Sequence, residues 1–104
     1  MRGSGQRDQM TDDELERSTI AVGHWRYAED HDEAVRIVGL SFDYWFSVGE
    51  ADGQLDLDEQ AQPLGDQGLL YYPYFAQIDG PGFPTVIQAK GYAQSKIRVP
   101  IRWD

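Results

Sequence analysis

Cysteine is absent from this sequence of 104 residues. That absence excludes a disulfide scaffold, a thiolate zinc site and a cysteine nucleophile together. It fits a reducing compartment, and the expected location is cytoplasmic. Long hydrophobic runs are missing as well. No stretch approaches the roughly 20 apolar residues of a membrane span, and Met1 to Asp12 contain no apolar run. The expectation is a chain with neither secretory leader nor membrane segment. Positive charge is scarce: 9 Lys and Arg stand against 18 Asp and Glu, for a net charge of −9.

The scarcity is uneven. Between Ile37 and Ala89 there are eight acids and no base, whereas Lys90, Lys96, Arg98 and Arg102 follow within the last fifteen residues. Nucleic-acid binding rests on cationic contacts to phosphate, so the acidic body disfavours it. A basic protein is the expected partner, a membrane is not, and a homodimer is compatible with the sequence. Residues 1–10 are expected to be a flexible segment. Residues 11–104 are expected to form one globular domain, long enough to bury roughly two-thirds of its unfolded surface.

Local patterns point to a mainly β fold, or α+β with a short N-terminal helix. Thr11-Asp12-Asp13-Glu14 has the form of a capping box and predicts a helix to about Arg17. Ser18–Ala28 alternates as a strand, and Glu29–Glu33 reads as a polar connector. From Val38 the sequence places Leu40, Phe42, Tyr44, Phe46 and Val48 on one face, which predicts a strand to Gly49. Asp52-Gly53 then predicts a hairpin turn, with Gln54–Glu59 as the returning strand.

Pro63–Gly68 reads as a loop. Leu69–Ile78 is apolar on both faces and should be covered on both, with Pro73 marking an edge or a bulge. Asp79–Pro84 is a turn. Residues 85–95 fit a strand pair or a helix begun by Pro84, and β-branched Thr85, Val86 and Ile87 favour strand. Ile97–Trp103 predicts a last strand. Such a series suggests an antiparallel curled sheet, a small barrel or a sandwich.

Chemistry is sparse. Val48–Glu59 resembles the twelve-residue calcium loop of the EF-hand, with Glu50 at the third position, Asp52 at the fifth, Gly53 at the turn, Asp56 at the ninth and Glu59 at the twelfth. Val48 offers no side-chain oxygen at the first position, and Pro63 would cut short the exit helix. Calcium at Glu50, Asp52, Asp56 and Glu59 is thus the metal alternative; otherwise no cofactor is expected. Asp56 and Asp58, two apart on a strand, would share a face as a hydrolase pair requires, yet nothing in sequence promises the burial that separates their pKa values. His24 and His31 have no cysteine to complete a zinc set. No nucleophile elbow or phosphate loop is complete, and the expectation is that the chain is not an enzyme.

The aromatics carry the remaining signal. Most fall in apolar alternation and belong to a core. Trp45 instead projects between Asp43 and Ser47, where solvent or a partner should be. The expected partner-binding set is Asp43, Trp45, Asp56 and Asp58, extended by Tyr71 or Tyr72 according to which face of their strand is inside. In composition the chain resembles small acidic, cysteine-free bacterial inhibitors such as the immunity proteins that neutralise toxins. The sequence therefore favours a protein-binding module, of inhibitor or immunity type, for a basic partner. The alternative is a ligand- or calcium-binding β domain using the acidic turn 50–59 or the tyrosine-rich strand 69–78.

Overall fold

The computed structural model describes residues 10–28 and 31–104. Within them, Thr11 caps α1 (Asp12–Ser18) in a reciprocal capping box with Glu14, as the sequence predicts. Strands β1 (Thr19–Ala28) and β2 (His31–Leu40) pair antiparallel. They are followed by α2 (Tyr44–Asp52), a 3-10 turn at Asp66–Gly68, β3 (Leu70–Tyr74), α3 (Val86–Ser95) and β4 (Arg102–Trp103). The strands form one open antiparallel sheet in the order β3-β2-β1-β4. The architecture is α+β with an antiparallel sheet, as one of the expected alternatives had it; the sheet is open, so the barrel and sandwich alternatives are not met, and the mainly β tendency holds only in part. Among the described residues no helix is long and apolar enough to cross a membrane.

The register explains the two layers that cover the sheet. Directly paired residues share a face. Val38 with Tyr72 and Leu40 with Leu70 therefore lie on one side, where Met10 ahead of α1, Leu15 of α1, and Tyr44 and Val48 of α2 close over them. Ile37, Tyr71 and Val35 lie on the other, under Ala89 and Ala93 of α3. Leu70, Tyr71 and Tyr72 are all buried, so β3 is covered on both faces as its sequence requires. Pro73 sits on the edge strand. Its neighbour Tyr71 exchanges backbone bonds outward with Phe83, so the N–H that proline lacks would have pointed away from β2.

Several expectations about local structure need correction. His31, Asp32 and Glu33 begin β2 rather than a connector; Glu29 and Asp30, like residues 1–9 of the expected flexible segment, lie outside the described residues. The strand drawn through Val38–Gly49 stops at Leu40, and α2 takes over because Asp43 caps it and Tyr44 and Val48, four apart, share its buried side. Gly53 is no hairpin turn: it ends α2 at φ 70°, a left-handed conformation that glycine adopts without steric cost. Gln54–Glu59 is not a strand. Residues 85–95 are helix, with Thr85 as the cap that accepts from the Gln88 N–H.

The last strand shrinks to two residues for a visible reason. The Gln94 side chain donates to the Ile97 and Val99 carbonyls and accepts from the Ile101 N–H, at 3.1, 2.9 and 2.9 Å. Three backbone groups are thereby satisfied by α3 instead of by a sheet neighbour. A second tight contact joins the 65–71 segment to Pro84. A Cβ on Gly65 would stand 2.3 Å from both the Cα and the O of Pro84. Gly65→Ala is therefore expected to cost about 1–3 kcal/mol through overpacking, read as a lower urea midpoint with an unchanged slope.

Candidate functional site

The amino end of α2 is where exposed chemistry and rigid support coincide. Asp43 uses both carboxylate oxygens: one accepts from the Phe46 N–H at 3.1 Å, the other from the Gln62 N–H at 2.8 Å. Gln62 in turn donates through Nε2 to the Gly82 carbonyl at 2.9 Å. The cap thus ties the helix start to the loops that follow it. Tyr44 turns inward, its N–H donating to the buried Tyr72 hydroxyl at 2.8 Å. Burial pushes the Tyr72 hydroxyl up to about 12, helped by the nearby Asp43 carboxylate and opposed by the Tyr44 hydrogen bond.

Trp45 turns outward and is 45% exposed. Its indole N–H donates to the Gly80 carbonyl at 2.7 Å, and its ring meets that of Tyr44 edge-on, with centroids 4.9 Å apart. The ring is therefore exposed but not loose. Phe42, on the chain entering the helix, is also 45% exposed. Asp52 lies two helical turns beyond Trp45 on the same side by helical spacing, and Asp79 precedes the Gly80 anchor. Glu50 and Asp52 add charge to the carbonyl end of α2, which already carries negative potential.

On the opposite side of α2 a cleft of about 450 Å³ opens toward α1, with Arg17, Ser18, Phe42, Ser47 and Val48 among its lining residues.

The expected site residues are distributed as follows. Asp43 and Trp45 are adjacent on α2, but Asp43 is engaged as a helix cap. Asp56 and Asp58 are exposed in a turn closed by the Glu59 N–H on the Asp56 carbonyl. Tyr71 and Tyr72 point into the core, at 3% and 0% exposure, and add nothing to the surface. Glu50 and Asp52 are helical and Gly53 is a cap, so the calcium-loop arrangement is not formed, and no exit helix follows. Among the described residues no group of three or more His, Asp or Glu side chains could hold a metal ion.

Sequence reasoning missed the Gly80 carbonyl and the Gln62 brace. The first carries no side-chain signal; the second depends on a contact between positions 19 apart in the chain. No protein-family model matches the chain, and no curated protein or solved structure matches it.

Proposed function

We propose that the protein is a small protein-binding module of inhibitor type, which docks a basic partner on the acidic face around Trp45. The observation that carries this reading is the indole: half-exposed, yet fixed by the Gly80 carbonyl and the Tyr44 ring. A ring already immobilised spares the complex the ordering cost of a free side chain, about 0.5–1.5 kcal/mol. Tryptophan in such a position is a favoured binding anchor. The partner's charge follows from the run between Ile37 and Ala89, which holds eight acids and no base. Complementary charge would speed association and make it salt-sensitive.

The test is capture from lysate at low salt on wild-type and Trp45→Ala columns side by side. A basic protein held by the wild type, released by rising salt and absent from the variant column is the expected result. A basic protein held equally by both columns would show charge alone at work and remove Trp45 from the reading.

A further inference from the structure

The turn after α2 holds an apolar side chain where nothing covers it. The Glu59 N–H bonds the Asp56 carbonyl at 3.1 Å, and the Glu59 carboxylate accepts the Asp56 N–H at 3.2 Å. The turn is closed on itself, with Leu57 at its tip between Asp56 and Asp58. Leu57 is fully exposed, more so than any other large apolar side chain among the described residues.

The complementary shape lies beside β1 and β4. A shallow depression of about 670 Å³ is lined by Trp25, Arg26, Val99, Pro100 and Arg102. Two arginines, Arg26 and Arg102, share the lining with the apolar side chains. Arg26 has a solvent-exposed pairing with Asp32 at 3.5 Å, whereas Arg102 makes no ion pair among the described residues. Lys90 and Lys96, by contrast, lie over the rings of Trp103 and Tyr92 at 5.0 and 5.1 Å. The turn follows α2, which packs on β3 through Tyr44 and Tyr72, while the depression belongs to β1 and the segment ending in β4. Leu57 is fully exposed and so does not enter the depression of its own molecule, which makes the fit one between molecules.

We propose that the protein self-associates head to tail, Leu57 of one copy entering the Trp25–Val99–Pro100 depression of another, with Asp56 and Asp58 facing Arg26 and Arg102. The occupant is a second copy because an exposed leucine set between two aspartates matches a depression lined by apolar side chains and two arginines. Both copies carry a net charge of −9, so association needs a local patch of opposite charge to offset the overall repulsion. The contact is heterologous: it extends into a ring or a chain unless two molecules exchange turns and close as a dimer. Its small size makes it weak, and its charged rim makes it salt-sensitive. It requires neither Trp45 nor a basic partner, so it stands or falls apart from the function proposed above.

The experiment is sedimentation velocity of the full chain from about 10 μM to about 1 mM, a range suited to a weak contact, in low salt and in about 0.5 M salt. The average mass should rise with concentration in low salt and rise less in high salt. Leu57→Asp and Arg102→Glu should each weaken association at least about tenfold. Both positions are exposed, and an unchanged circular dichroism spectrum checks that the fold is kept. Mixing the two variants restores one contact, since the first keeps the depression and the second keeps the turn; a 1:1 heterodimer is expected. A wild-type chain that stays monomeric throughout overturns the proposal. Self-association that both variants leave intact overturns it equally.

Discussion

Tyr72→Ala is expected to cost about 3–5 kcal/mol, the range for emptying a large aromatic site in a core. Small domains hold only about 5–15 kcal/mol in all, so a large fraction of the variant should be unfolded well below the wild-type urea midpoint. Tyr72 is fully buried among Val38, Leu40, Tyr44, Leu70 and Ile78, and its hydroxyl is the acceptor for the Tyr44 N–H. Removing it opens a cavity and orphans a donor at the first turn of α2. Tyr72→Phe separates the two effects: it keeps the packing and orphans the donor alone, for about 1–3 kcal/mol.

The same hydroxyl gives the fold an alkaline limit. Its folded pKa is raised to about 12 from the ordinary 10.0, so the unfolded chain loses this proton more readily than the folded one. The stability it contributes is complete below pH 10 and is lost as pH rises from about 10 through about 12. Chemical denaturation across that window should show a fall in wild type that is smaller in Tyr72→Phe. Equal falls in the two proteins would place the alkaline sensitivity elsewhere.

The second large effect concerns binding. Trp45→Ala should weaken the partner complex by about 2–4 kcal/mol, or about 30- to 1000-fold, as loss of a central aromatic anchor does. The free protein should suffer far less, about 0.5–1.5 kcal/mol for the hydrogen bond to Gly80. Trp45→Phe keeps a ring but not the N–H that fixes it, and should fall between the two. Titration calorimetry with the captured partner reads all three. A Trp45→Ala complex as tight as wild type, in a variant of normal stability, would leave the ring without a role in binding.

Half of this fold could be read locally. The capping box at Thr11 and Glu14 needs only neighbours, and so does the alternation of β1. β3 was legible because apolar residues on both faces demand cover on both. Trp45 was expected at the surface, and it is exposed there, but on a helix rather than a strand.

What misled is physical. Tyr44 and Val48 are spaced by four, which satisfies a strand's period of two and a helix's neighbouring turns alike. The deciding signals were the caps, Asp43 before and Gly53 after. In α3, Gly91 and the β-branched Val86 and Ile87 argue against helix by propensity. Burial of Ala89 and Ala93 against the sheet overrides them, and Gly91 faces open space. The 97–101 segment alternates like a strand, yet it is held by Gln94, a partner no periodicity announces. The candidate site was legible only in Trp45 and the acid excess. Its rigidity comes from Gly80 and Gln62, distant in sequence and silent in pattern.

The most direct test of the Trp45 face is amide hydrogen exchange of the wild-type chain with and without the partner captured at low salt. Binding there should slow exchange at residues 42–46 and 79–82, the helix start and the loop that carries the Gly80 anchor. Unchanged exchange in both segments, with protection confined to the β1–β4 edge or the α1 side of the cleft, would contradict the assignment.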